Sequence, residues 1–187
     1  MSSFDRPTET DIPPSGWVLR FAHLVKPAGR VLDVAAGHGR HSHFFLMRGC
    51  TVTAVDIDAS GLSDLATAKA IEIMERDLEG EPWPFGKGMF DAIVITNYLH
   101  RAHFPGLVET LSPGGVLLIE TFGAGNEKLG RPRNPDFLLE PGELLNAFSQ
   151  SLQIVAYEHG IEKTPRPAVR QRLCAIKAQE AALIASS

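Results

Sequence analysis

Short apolar runs alternate with amphipathic stretches along most of this chain. Arg30 to Ala35, Thr51 to Asp56, Ile71 to Glu75 and Phe90 to Thr96 are apolar, β-branched and bounded by turn formers, the pattern of buried strands. Between the first two, Gly39 to Arg48 carries Phe44, Phe45 and Met47 on a helical repeat, with Gly49 placed to end it. Ser60 to Ala68 reads as a short helix with Ser60 as its cap. Glu79 to Gly88 is a loop. Leu99 to Leu111 reads as a helix in which Pro105 sits near a turn or a helix start. Pro113-Gly114-Gly115 is a tight turn into Val116 to Thr121, the most apolar strand. A long loop, Gly123 to Asp136, leads to a helix over Glu140 to Ser149. Two last strands follow, Leu152 to His159 and Arg170 to Ala178. No helix separates them, so they can pair antiparallel. At the other end, Met1 to Ser15 is polar and proline-bearing, the mark of a mobile tail. Gly16 to Val25 then places Trp17, Arg20, Phe21 and Leu24 at helical spacing, before Pro27 and Gly29.

Strands alternating with helices predict an α/β, doubly wound fold: a mostly parallel sheet covered on both faces. Seven strands are expected, six parallel and one antiparallel at the edge. One domain covers residues 1–187, with a tail over 1–15, an N-terminal helix over 16–29 and a core over 30–178.

Composition narrows the function. With 44% hydrophobic and 21% charged residues, the chain is that of a soluble globular protein. A net charge of −4 lacks the basic surplus of a nucleic-acid binder, so no nucleic-acid partner is expected. No apolar run nears the roughly 18 residues of a membrane span, and no signal peptide is visible, so a cytoplasmic location is expected. Cys50 and Cys174 stand in apolar stretches with no metal or redox spacing, and read as reduced core thiols.

The most informative stretch is Val31-Leu32-Asp33-Val34-Ala35-Ala36-Gly37-His38-Gly39-Arg40. A buried strand runs into a small-residue turn that opens a helix. Gly37 and Gly39 let the backbone turn tightly and approach a ligand. Asp56 closes the next strand, where doubly wound folds place an acidic residue on ribose hydroxyls. A nicotinamide-dependent oxidoreductase is one reading. Its G-x-G-x-x-G fingerprint lacks the third glycine here, since Ser42 follows Gly37 and Gly39. A P-loop is excluded, because no Gly-Lys-Ser/Thr follows.

VLDVAAGHG (Val31 to Gly39) resembles the first motif of the class I S-adenosylmethionine (SAM)-dependent methyltransferases, with Ala35 in place of the first glycine. TAVDID (Thr53 to Asp58) is similar to their second motif, ERDLEG (Glu75 to Gly80) to the third, and FDAIVITNYLHR (Phe90 to Arg101) to the fourth. LSPGGVLLIETF (Leu111 to Phe122) resembles the strand that follows. The compact size and the Asn-Tyr-Leu-His stretch are most similar to the tellurite-resistance methyltransferase group. The resemblance implies a seven-stranded Rossmann-like methyltransferase sheet and a SAM site, with S-adenosylhomocysteine (SAH) as product. It also implies site roles. Asp33 accepts from the methionine amino group or organises the loop. Ala35, Gly37 and Gly39 pass under the methionine part, beside Arg40. Asp56 holds the ribose hydroxyls, Asp77 and Leu78 the adenine, and Ile57 belongs to the cofactor-binding set. Asn97 faces cofactor and acceptor.

Tyr98, in the same stretch, is a candidate for orienting the acceptor, and His100 for an acceptor contact or general base. Arg131 and Arg133, on a proline-stiffened loop, are candidates for clamping an anionic acceptor. His38 and His41 stand three apart on a predicted helix, but no cysteine or carboxylate stands near in sequence, so no metal site is expected. The acceptor is expected to be a small molecule. A non-catalytic SAM-binding protein is the other alternative.

Overall fold

The computed structural model describes residues 12–178. The strands are β1 (Arg30–Val34), β2 (Thr51–Asp56), β3 (Ile71–Glu75), β4 (Phe90–Thr96), β5 (Leu111–Phe122), β6 (Gln153–Glu162) and β7 (Ala168–Ile176). They form one seven-stranded sheet in the order β3-β2-β1-β4-β5-β7-β6. β1 to β5 pair in parallel, and β7 runs antiparallel to both β5 and β6. The antiparallel strand therefore lies one in from the edge. The β6–β7 hairpin folds its returning strand against β5 and leaves β6 outermost.

Among the described residues four α-helices accompany the sheet: α1 (Gly16–Phe21), α2 (Arg40–Met47), α3 (Phe104–Thr110) and α4 (Glu143–Phe148). They are shorter than the apolar periodicity predicts. The expected helix over Ser60 to Ala68 is a 3₁₀ segment over Ala59–Leu65. Its cap is Asp58, whose carboxylate accepts the Ser60 N–H at 2.9 Å. The expected helix over Leu99 to Leu111 splits into a 3₁₀ turn, Arg101–His103, and α3. Pro105 falls in the first turn of α3, where its missing N–H costs no bond.

Successive strand residues point to opposite faces, and each face has its own core. On one, Val31, Val52, Ala54, Val94 and Leu118 pack with Trp17 and Val18 of α1 and Phe45 of α2. On the other, Leu32, Val34, Ile93, Ile95 and Leu117 pack with Leu107 of α3 and with Leu144 and Phe148 of α4. Each such buried side chain contributes about 1.5–3 kcal/mol. Cys50 and Cys174 are buried free thiols.

The tail expected over Met1 to Ser15 lies outside the described residues for 1–11, and it does not hold at Ser15. That side chain is buried and caps α1, accepting the N–H groups of Trp17 and Val18. Among the described residues, no helix is long and apolar enough to cross a membrane.

Candidate active site

The glycine loop and the candidate residues after it gather at the C-terminal ends of β1, β2, β3 and β4, the ligand-binding edge of open α/β sheets. β1 ends at Val34, and Ala35, Gly37 and Gly39 all take positive φ, at 53°, 56° and 71°. The two glycines serve different ends. A Cβ at Gly37 meets nothing within 4 Å, so that stretch of backbone is open to a ligand. A Cβ at Gly39 meets Leu62 Cδ2 at 2.7 Å and Leu65 Cδ1 at 2.8 Å, so there glycine serves packing.

Asp56, the last residue of β2, fixes this loop. Its Oδ2 accepts the Gly37 N–H at 2.7 Å and its Oδ1 accepts the Asp58 N–H at 3.1 Å. A carboxylate has about four acceptor positions, so two remain for a bound diol. Asp77 is arranged similarly: its Oδ1 accepts N–H groups of Glu79 at 2.9 Å and Gly80 at 3.1 Å. A cleft of about 320 Å³ is lined by the sequence-predicted Ala35, Asp56, Ile57, Asp77, Leu78 and Tyr98, together with Val55, Arg76 and Glu79, which were not predicted. Leu78 is buried while Ile57 is 68% exposed. The two give the cleft an apolar slot open to an incoming ring. Slot, spare carboxylate positions and open glycine backbone together fit the adenosyl part of SAM.

The other predicted residues fall around this cleft. Asp33 is buried and lines none of the clefts described here; its Oδ2 accepts the Ser42 hydroxyl at 2.7 Å and so ties β1 to α2. Burial raises its carboxyl to about 7, against the lowering effect of Ser42 and Arg40. Tyr98 has a buried hydroxyl that lies beside the Glu79 carboxylate without a hydrogen bond of good geometry. Burial first, then the charge and hydrogen-bonding of Glu79 and the charges of Asp77 and Asp56, push that phenol above its usual range, so it keeps its proton. His100 does not reach the cleft. It is stacked on His103, with ring centroids 4.3 Å apart, and lines a small, nearly filled space behind Tyr98. Arg131 and Arg133 are exposed and line none of the clefts. Their loop is pinned: the Asn126 amide donates to Pro132 O and accepts the Val169 N–H, and Arg101 donates to Asp136 O and Leu138 O. That anchoring turns Pro132 and Phe137, rather than the two arginines, toward Asn97 and Tyr98.

Asn97 has a positive φ of 58° and stands between two further spaces. One is a recess of about 280 Å³ that it shares with Tyr98, Phe122 and Phe137. The other is a pocket of about 450 Å³ whose polar lining includes Ser15, Arg40, Glu120, Arg170 and Arg172. No local pattern in the chain announces this pocket. Arg170 and Arg172 are two apart on β7 and so share a face, but nothing local joins them to the glycine loop. Arg172 bonds Glu120 at 2.7 Å, Glu162 at 2.7 Å and Glu158 at 3.4 Å. Ser15 closes the near wall. Its hydroxyl donates to Glu120 Oε2 at 3.0 Å and its N–H to His41 Nε2 at 3.1 Å. His41 must leave Nε2 unprotonated to accept. Burial, then the Arg40 charge, lowers its pKa to about 3 and keeps it neutral.

Residues 31–115 match a methyltransferase domain family. Over 86 residues the chain is 37% identical to an uncharacterized protein of Mycobacterium tuberculosis, a stretch that is 44% of this chain and 31% of that protein's length. The chain thus spans under a third of that relative. Among solved structures it is similar to TehB from Haemophilus influenzae, with a TM-score of 0.73 and 20% identity over 87% of this chain and 62% of that one. It is also similar to 1,6-didemethyltoxoflavin-N1-methyltransferase of Burkholderia thailandensis, solved with 1,6-didemethyltoxoflavin and SAH. There the TM-score is 0.65, with 20% identity over 87% of this chain and 76% of that one. Sheet order and glycine loop agree with the match over residues 31–115: the fold is the Rossmann-like fold of the SAM-dependent methyltransferases to which the chain is similar. The antiparallel β7 between β5 and β6 also differs from the 3-2-1-4-5-6 order of the nicotinamide-binding sheets.

Proposed function

We propose that this chain acts as a single domain that transfers a methyl group from SAM to a small-molecule nucleophile, releasing SAH. The observation that carries the reading is the cleft that brings Ala35, Asp56, Ile57, Asp77, Leu78 and Tyr98 together beside the open backbone of Gly37. SAM, when bound, supplies a methyl already activated on a sulfonium. Asp56 holds the ribose hydroxyls, Ile57 and Leu78 flank the adenine, and Asp77 receives its amine. Ala35, Gly37 and Gly39 carry the methionine part, with Asp33 fixing the loop through Ser42. Arg40 and Asn97 close that end. Tyr98, protonated beside Glu79, donates to the acceptor, and His100 backs it. Holding two reactants in line accounts for several kcal/mol of rate enhancement, on the order of 7 or more in well-oriented systems. The small-molecule acceptor is supported by the small, half-open spaces beside Asn97 and by the Burkholderia enzyme, which holds one.

Calorimetric titration with SAM, SAH and NAD, on the protein and on Asp56→Ala, tests the cofactor assignment. Micromolar SAM and SAH binding that is lost in the variant is expected, with no NAD binding. NAD binding alone overturns the reading. SAH release in the presence of an acceptor mixture separates an enzyme from a non-catalytic SAM binder.

A further inference from the structure

Resting on that reading, we infer that the acceptor is an organic monoanion, and that Arg170, held by Asn97, grips its carboxylate in the 450 Å³ pocket with Arg40 beside it. The sequence places the anion clamp on Arg131 and Arg133; the pocket places it on β7.

The charges around the pocket are unequal. Among the described lining residues, Arg20, Arg40, Arg170 and Arg172 face Glu120, Glu158 and Glu162. The three carboxylates are already committed. Arg172 binds all three, and Arg20 takes Glu158 at 2.8 Å as well. Arg40 has no carboxylate partner among the described residues. It donates to two neutral oxygens, Pro13 O at 3.3 Å and Thr96 Oγ1 at 3.4 Å. Arg170 donates to Asn97 Oδ1 at 2.5 Å, and its buried Nε makes no hydrogen bond. The nearest carboxylate oxygen, on Glu162, is 3.7 Å away, beyond hydrogen-bonding reach. One positive charge is left over, and a single carboxylate balances it.

The geometry of Arg170 suits that role. Its side chain is 16% exposed, and its guanidinium carbon lies 3.9 Å from the centre of the Phe122 ring. Stacking fixes the plane of the fork, and a fixed fork recognises a planar two-oxygen group better than a mobile one. Burial lowers the Arg170 pKa, against the raising charges of Glu120 and Glu162, and an anion arriving there offsets that burial. Such a guanidinium, with its Nε left without a hydrogen bond beside the transfer site, is a specificity device: a neutral analogue pairs with it less well. The pocket's volume far exceeds a carboxylate. Ile12, Pro13, Pro14 and Trp17 wall the rest, so the acceptor has an apolar body.

The test uses the full chain saturated with SAH, titrated calorimetrically with a panel of aromatic and aliphatic monocarboxylates. Each is paired with its own primary amide, and inorganic phosphate is titrated alongside. In each pair that binds, the carboxylate binds at least tenfold more tightly. Arg170→Gln abolishes that preference while SAH affinity stays within threefold, and Arg170→Lys restores part of it. Equal binding of acid and amide overturns the inference, as does no binding across the panel, or a preference that survives Arg170→Gln. Phosphate binding as tightly as any carboxylate also overturns it, in favour of a bare oxyanion site. A large loss of SAH affinity in both Arg170 variants assigns the cation to the cofactor's own carboxylate and likewise overturns it. Failure of the wild-type protein to bind SAH at all strikes the proposed function instead.

Discussion

The two ends of the sheet's ligand edge are built in opposite ways. Around β1, β2 and β3 the cleft is made by backbone turns and by residues close in sequence: Asp56 reaches back to Gly37, and Asp77 caps its own turn. Around β5 and β7 the pocket is made by long-range side-chain bonds. Ser15 meets Glu120 across 105 residues, and Trp17 Nε1–H meets Leu173 O across 156. On the proposed function the first construction holds the cofactor. The second rests on a network in which each side chain supports several others.

Breaking the pocket side produces the largest expected effect. Arg172→Ala leaves Glu120, with a side chain only 9% exposed, without its strongest partner. Removing one member of such a buried pair costs about 3–5 kcal/mol, read as a lower urea midpoint, and Arg172→Lys recovers part of it. A loss below about 1 kcal/mol shows that the network is a surface ornament.

The cofactor side is sharpened by its two glycines. Gly39→Ala combines a left-handed φ, costing about 1–2 kcal/mol, with contacts under 3 Å to Leu62 and Leu65. Gly37→Ala carries the φ cost alone. Gly39→Ala is therefore the more destabilising of the two by thermal or urea unfolding, whereas Gly37→Ala acts more on SAM affinity than on stability. Equal destabilisation removes the distinction drawn between them.

The junction of the two sides is pH-sensitive. His41 titrates at about 3 in the fold against about 6.5 unfolded, so the unfolded chain binds more protons between these values. Its contribution to stability is full above about 6.5 and is lost as the pH falls toward 3, at up to about 1.4 kcal/mol per unit. Asp33 acts oppositely: the fold holds its proton up to about 7, so its contribution declines as the pH rises from about 4 to 7. The two partly cancel in the native protein. His41→Gln removes only the first, so the difference in unfolding free energy between wild type and variant should slope between pH 3 and 6.5. A flat difference disproves a neutral, buried His41.

The smallest effect is at Ile57, which is already exposed. Ile57→Ser should leave stability within about 0.5 kcal/mol and weaken SAM several-fold in the same calorimetric titration. Unchanged affinity removes Ile57 from the adenine slot.

This contrast also explains what was legible in the sequence. β2, β3 and β4 were bounded to the residue, because buried parallel strands are short, β-branched and flanked by turns. The Ala35–Gly39 loop, Asp56 and Asp77 were visible for the same reason: each acts through its own neighbourhood. The helices over Ser60 and Leu99 were overestimated, because apolar spacing alone does not separate a 3₁₀ segment from an α-helix. His100 was carried past the cleft because Leu99 is buried and takes the turn inward. The clamp was sought on Arg131 and Arg133, where proline made a local pattern, while Arg170 waits on a strand whose place beside β5 no local signal announces.

The docking of Ser15 and Trp17 also orders events at the ribosome. All residues lining the cofactor cleft lie between 35 and 98. The pocket beside it needs the chain's early segment and β7 together. A nascent chain thus holds every residue of the cofactor cleft while β7 is still in the exit tunnel, and its opening segment has no Leu173 carbonyl to bind. The pocket is completed later in synthesis than the cleft beside it, because it alone waits for β7.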